Sequence, residues 1–318
     1  MRAIGHFIIF ISFFLVFAIL LAVLVLGAAA LRSTTAMLLL LPALAVVWVL
    51  FGGGLALGLV QALGYLPGAG LGELSWEHFA RVLTDPDFFR SLLLTFYIAG
   101  TSTSIAAGIS ILTALLLASL VERSRVIHFI FQVPLTVPHL VIAVAVVFML
   151  APAGLVSRAA VALGWIQTSA DFPLLINDTW GVGIILTYVW KEVPFITLMI
   201  LAVLRQSGNA LLDVGRTLKA SPWQRFRYIT LPTIFPAVGA ASLIVFAYTF
   251  GAFEVPFLLG RTYPMTLPVW AYKNYSDIDL LARPEGIATG IVIALVVMLA
   301  VVLAQMLTKA ARKRGVIL

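Results

Sequence analysis

The sequence predicts an all-α fold, a polytopic bundle of membrane helices carrying one helical elbow on its cytoplasmic side, and three observations support it. Of 318 residues, 62% are apolar and 10% charged, against roughly 45–50% and about 25% in soluble domains. Apolar runs near 7–31, 36–60, 92–118, 127–150, 180–204, 233–257 and 286–308 are each long enough to cross ~30 Å of hydrocarbon at 1.5 Å per residue. They are Leu-, Val- and Ala-rich rather than alternating, which excludes a transmembrane barrel built from ~10-residue strands. The third observation is where the charges lie. The segments around Arg32, Arg123 and Arg125, from Arg205 to Arg227, and the tail from Lys309 to Arg314 hold twelve basic residues against Glu122 and Asp213. The remaining loops hold six basic residues and nine acids. By the positive-inside rule the first set faces the cytoplasm. The net charge of +7 therefore reports topology and contact with anionic lipid rather than nucleic acid. Cysteine is absent, which excludes disulfides and thiolate metal sites.

The first run, Phe7 to Leu31, begins after Arg2 and ends on Ala28-Ala29-Ala30, features shared with a cleavable signal. Its length exceeds the 7–15 residues or so of a signal core. The expectation is an uncleaved extra helix with its turn over 1–35, followed by one membrane domain over 36–318 containing six further helices and a cytoplasmic C-terminus. Pro134-x-x-x-Pro138 opens the run at 127–150, and Pro194 and Pro256 interrupt later ones. Proline removes a backbone donor, so such helices flex or line a cavity. Gly54-x-x-x-Gly58 and Gly286-x-x-x-Gly290 permit close helix packing. Trp270, Tyr272 and Tyr275 fit an outer aromatic belt.

Between the runs at 180–204 and 233–257 lies the longest polar stretch, with its elbow over 208–232. Ser221, Pro222 and Gln224 form an N-cap, a first-turn proline and a capping-box glutamine, so a short helix starts there. Residues 208–219 form the helix before it, and Leu231-Pro232 is expected to stop the second helix. Phe226 and Ile229 share one side, with basic residues on the other. An ordered elbow of this kind serves as a docking element, which a merely solvated linker would not need.

These residues resemble the coupling loop of the permease subunits of binding-protein-dependent type I ABC importers. That pattern reads Glu-Ala-Ala, three residues, Gly-Ala, then Phe, Ile and Leu-Pro. Ala220, Phe226, Ile229, Leu231 and Pro232 fall in register, with Ser221 and Pro222 in the intervening stretch. Asp213 stands for the Glu, Val214 and Gly215 for the two Ala, and Lys219 for the Gly. A non-Gly residue at a left-handed turn costs on the order of 1 kcal/mol. The resemblance covers about 36–310. It implies a non-catalytic permease half in a bacterial inner membrane, partnered by a second permease, an ABC ATPase dimer and an extracytoplasmic solute-binding protein. It also implies no cofactor on this chain, with ATP and Mg held by the partner ATPase. No lysine here follows a glycine, so a Walker A motif is absent from the sequence. The stretch Leu267 to Glu285 is similar to the polyamine-type branch, with iron, phosphonate and thiamine importers sharing much of it.

Ionisable groups inside spans are expensive and mark pathways or pairs. Tyr188, Glu192 and Phe195 follow i, i+4, i+7 spacing and share a face, and a carboxylate beside aromatic rings suits an organic cation. Glu254, in the run at 233–257, is expected near the outer mouth. Two readings stand: Tyr188, Glu192, Phe195 and Glu254 line the substrate path, or Lys191 pairs with Glu254 or a partner's acid and holds the bundle. Glu192 and Glu254 as protonatable sites of an ion-coupled transporter form the other functional class, although no inverted repeat accompanies them. His139 has no second ligand at suitable spacing, so no metal site is expected.

Overall fold

The computed structural model describes residues 42–43, 45–120, 125–207 and 210–313. The extra helix expected over 1–35 lies outside them. Among the described residues six helices are long and apolar enough to cross a membrane: Ala45–Ala62, Pro86–Ala118, His139–Ala162, Val182–Ser207, Pro222–Gly251 and Leu280–Met306. The only strand-like pairing among them is an isolated bridge, Leu66 to Leu71. The helices are α1 (Gly53–Ala62), entered through a π turn at Trp48–Gly52, α2 (Glu77–Thr84), α3 (Pro86–Leu120), α4 (Arg125–Thr136), α5 (His139–Leu150), α6 (Leu155–Ala162) and α7 (Val182–Ser207). After them come α8 (Ala210–Thr217), α9 (Pro222–Arg225), α10 (Leu231–Gly251), α11 (Glu254–Leu259), α12 (Leu267–Tyr275) and α13 (Arg283–Lys313).

The chain divides into two compact units. The first comprises the described residues to Thr95, Phe250–Phe253 and Tyr263–Leu299. Here α2 ends on Asp85, whose Oδ1 accepts from the Asp87 N–H at 2.8 Å and so caps the start of α3, where Pro86 takes the position that needs no donor. Thr95 Oγ1 accepts from the backbone N–H of Leu267 at 2.8 Å, satisfying an orphan donor at the head of α12. Arg81 bridges Glu77 at 2.6 Å and Glu285 at 3.4 Å, and its bonds to these acids raise the guanidinium further above its ordinary range. Phe88 packs edge-on against Trp270 and Phe253 lies 4.5 Å from Tyr272, centroid to centroid, while Arg283 sits over the Tyr275 ring. The three aromatics expected to form an outer belt are thus held by the protein itself. Trp76, ahead of α2, is exposed instead.

The second unit comprises Phe96–Thr249, Glu254–Thr262 and the chain from Ala300, and α7 is its axis. More than half of the α7 span is buried, 56%, against 17–33% for the other spans. One apolar cluster joins Ala106, Ala114 and Leu117 of α3, Ile196, Ile200 and Leu201 of α7, and Ile234, Ala241 and Val245 of α10. Ser110 Oγ crosses the same seam and donates to the Val193 carbonyl at 3.0 Å, beside the proline that interrupts α7.

Three boundaries differ from expectation, each at a proline or a glycine. The run at 127–150 is two helices, α4 and α5, because Val137 precedes Pro138, and a residue before proline is pushed out of the helical region. Pro138 itself is extended, at φ −59° and ψ 144°. The run at 233–257 ends at Gly251, so Glu254 opens the short helix α11 rather than lying within a span. Leu231-Pro232 does not stop a helix: a π turn at Phe226–Thr230 carries α9 into α10, with the Leu231 N–H reaching the Phe226 carbonyl.

At Gly286 a Cβ would meet the Ala271 carbonyl oxygen at 2.7 Å and the Tyr275 nitrogen at 2.6 Å, whereas at Gly290 it would meet nothing. Only the first glycine of that pair is needed for close packing, of α13 on α12. Gly286→Leu should therefore destabilise the protein by about 1–3 kcal/mol through overpacking, and Gly290→Leu by much less. Thermal unfolding of the two variants in detergent, followed by tryptophan fluorescence, measures the difference.

Candidate functional site

The elbow is built by two complementary helix ends. α8 closes with a left-handed residue: Lys219 has φ +56°, its N–H donates to the Arg216 carbonyl at 3.0 Å, and the Ala220 N–H donates to the Gly215 carbonyl at 2.9 Å. These two bonds form the Schellman closure normally made around glycine. α9 opens with the expected capping box, in which the Gln224 N–H donates to Ser221 Oγ at 3.2 Å and the Ser221 N–H donates to Gln224 Oε1 at 2.8 Å. Gly215 is where the two arms touch. A Cβ there would meet Ile229 Cδ1 at 3.0 Å and Arg225 Cγ at 3.2 Å, so a side chain at this position would have to push those two aside. Asp213 pairs with Arg216 at 2.7 Å on the exposed side, a contact that adds little in water.

The elbow's outward surface differs from what the motif alone suggests. Phe226 is half-buried and tilted against Trp223, with ring centroids 5.5 Å apart. Trp223 is 67% exposed, Leu218 76% and Tyr228 76%, with Val214 also exposed. Trp223 lies in the stretch between motif positions, which is why motif spacing does not single it out. From the elbow the chain runs directly into the membrane. Pro232 would clash with the carbonyl of residue 228 in a regular helix, and the wider π turn just before it relieves that clash, so elbow and span form one unbroken element.

The second cluster lies on α7 and the helices packed on it. α4, α5 and α11 all contact α7, and α11 also contacts α5. Lys191 is buried, and its ammonium donates to the carbonyls of Pro134 at 2.8 Å, Leu135 at 3.0 Å and Val137. These are carbonyls at the α4–α5 break. An ammonium has three donors, and all three are used there. The pairing of Lys191 with Glu254 considered from the sequence is therefore not made, and among the described residues neither Glu192 nor Glu254 forms an ion pair. Tyr188 is fully buried and Glu192 is 6% exposed, and Tyr188 Oη and Glu192 Oε1 have no hydrogen-bond partner. Phe195 of the same helix packs against the apolar cluster instead. Glu254 and Glu192 both lie within electrostatic range of the phenols of Tyr188 and Tyr248. His139 and Tyr248, 109 residues apart, meet through an Nδ1 to Oη hydrogen bond of 3.0 Å. No local spacing in the sequence links them. Among the described residues no three His, Asp or Glu side chains converge as a metal site.

Comparison with known proteins follows from this geometry. The family model of the binding-protein-dependent transport system inner membrane component matches residues 106–314. The chain is 30% identical over 216 residues to the inner membrane ABC transporter permease protein YnjC of Escherichia coli (strain K12), a match spanning 65% of this chain and 39% of that protein. It is 37% identical over 83 residues to YdcU of the same organism, another inner membrane ABC transporter permease protein, over 26% of each. The match thus spans about two fifths or less of these two relatives. The trehalose/maltose transport system permease protein MalF of Thermococcus litoralis is 27% identical over 215 residues, 63% of this chain and 70% of that one. Among solved structures, a bacterial ABC transporter involved in the import of the acidic polysaccharide alginate superposes with a TM-score of 0.72 at 22% identity, covering 88% of this chain and 96% of that one. It shares the fold.

Two substitutions test the local physics. Lys219→Gly should stabilise the elbow by about 1 kcal/mol, since it relieves the left-handed strain. Lys191→Met should lower the protein's stability by about 1–3 kcal/mol by leaving buried carbonyls unpaired. Thermal midpoints of the purified variants give both signs.

Proposed function

This chain belongs to the family of binding-protein-dependent transport system inner membrane components, and on that premise we propose that it is one permease half of an ATP-driven importer. In this reading it is a multi-pass protein of the inner membrane with a cytoplasmic C-terminus. It pairs with a second permease and an ABC ATPase dimer and receives solute from an extracytoplasmic binding protein. ATP and Mg belong to the ATPase, and this chain contributes no catalytic group.

The observation that carries the proposal is the continuity of the elbow with α10. A docked partner that moves the elbow moves a membrane-spanning helix with it, because the π turn keeps the backbone joined through Pro232. Coupling then needs only that closed and open ATPase states hold the elbow differently, so that each favours one arrangement of the bundle. Gly215 and the Schellman closure keep the two arms of the elbow rigid enough to transmit that preference.

For the solute, we propose a small organic cation of the polyamine kind. The relatives include permeases named for trehalose/maltose, sulfate and molybdenum, so the family itself leaves the solute open. Support comes from the residues: the buried Glu192 beside Tyr188, and Glu254 at the head of α11, are carboxyl groups without a cationic partner among the described residues.

The docking role is tested at the elbow's aromatic pair. Trp223→Ala and Phe226→Ala should each weaken ATPase retention by about 2 kcal/mol, the loss usual for a central interface anchor, while Asp213→Ala should be near neutral. Co-purification of the ATPase and solute-stimulated ATP hydrolysis in proteoliposomes are the readouts. Wild-type values for both aromatic variants would refute docking through this loop.

A further inference from the structure

The polar groups around α7 do not end at the face that spacing reveals. We infer that His139 and Tyr248 complete, with Tyr188, Glu192 and Glu254, a single recognition site for the ammonium group of an organic cation, and that these two residues set its selectivity. The inference rests on the permease reading above and adds to it two residues that no motif contains.

The geometry that supports it lies wholly within one unit of the protein. The His139 ring is 4.7 Å from the Tyr248 ring and 6.3 Å from the Tyr188 ring, centroid to centroid, so two aromatic groups flank one imidazole. Three buried polar atoms in this cluster have no protein partner: Tyr188 Oη, Glu192 Oε1 and His139 Nε2. Two of them belong to side chains more than nine-tenths buried. Buried polar atoms are normally paired, and unpaired ones mark a place where a partner is expected. Lys191, whose charge acts on both Glu192 and His139, spends its three donors on the α4–α5 break. A pair of carboxyl groups, two phenol oxygens and an imidazole nitrogen form a set rich in acceptors, with aromatic faces beside them. An alkylammonium supplies donors alone and is attracted to such faces. Its arrival selects one imidazole tautomer. With Nδ1–H donating to Tyr248 Oη, Nε2 presents a lone pair and the Tyr248 hydroxyl is free to turn away. A neutral polyol would satisfy some of these acceptors, but it would bring no positive charge to the Glu192 and Glu254 carboxyl groups, whereas an ammonium forms charge-assisted hydrogen bonds with them.

The test uses the assembled complex of both permeases and the ATPases in lipid nanodiscs, with radiolabelled putrescine as the probe and its uncharged diol analogue as competitor. Wild type should bind putrescine and ignore the diol. Glu192→Gln should weaken binding by about tenfold or more, and Tyr248→Phe and His139→Phe by about threefold to tenfold, with ATPase retention unchanged. Should His139→Phe fail to assemble, Tyr248→Phe decides, because it removes one oxygen and keeps the ring. Wild-type affinity in Tyr248→Phe and His139→Phe, with loss in Glu192→Gln, would overturn the extension of the site to these residues. Absence of putrescine binding by wild type, while an uncharged or anionic solute still stimulates ATP hydrolysis, would overturn the cation reading and leave the permease assignment standing.

Discussion

A membrane interior offers no water, so every backbone donor and acceptor released by an interrupted helix has to be matched by the protein. This chain interrupts its helices repeatedly, and the way each interruption is matched determines the rest of the structure. At Val137-Pro138 the released carbonyls are taken by the Lys191 ammonium. That bond set pins α4 to α7 and uses up the one buried lysine among the described residues. The consequence is electrostatic: a residue that looked like the counter-ion of a membrane carboxylate is a structural clamp, and the carboxyl groups of Glu192 and Glu254 are left to something else.

At Pro232 the solution is different. The backbone widens into a π turn so that the helix continues, and the Thr233 hydroxyl donates to the Ile229 carbonyl within it at 2.7 Å. The two cases separate by location. Pro138 takes an extended conformation that ends one helix and starts another, which gives a joint. Pro232 sits inside a continuous helix, which gives a lever between the elbow and α10. A joint and a lever do different things in a bundle, because packed helices shift as units rather than bending continuously.

The elbow itself shows how a departure from a motif can be absorbed. Lys219 occupies a left-handed position that glycine would take without strain, yet the hydrogen bonds that close α8 are all made. Its contact glycine sits four residues earlier, at Gly215, where space rather than backbone conformation is the constraint. The aromatic surface has likewise spread from Phe226 to Trp223 and Tyr228, so the exposed aromatic area of the elbow is larger than the motif positions alone provide.

Much of this was determined by the sequence alone, because the relevant physics is local. Span length and hydropathy require helices long enough to cross a bilayer, and Ser221, Pro222 and Gln224 specify a capped helix start within four residues. The sequence also marks Pro138 as a disruption, since a proline's effect is confined to its own turn. What the chain does at each disruption is not local. Whether Pro232 ends a helix or is carried through depends on the whole turn around it, and whether Lys191 meets an acid or a row of carbonyls depends on where α4 packs against α7. The meeting of His139 with Tyr248 across 109 residues has no periodicity to betray it. Tertiary packing alone decided which polar groups were satisfied by the protein and which were left facing one another.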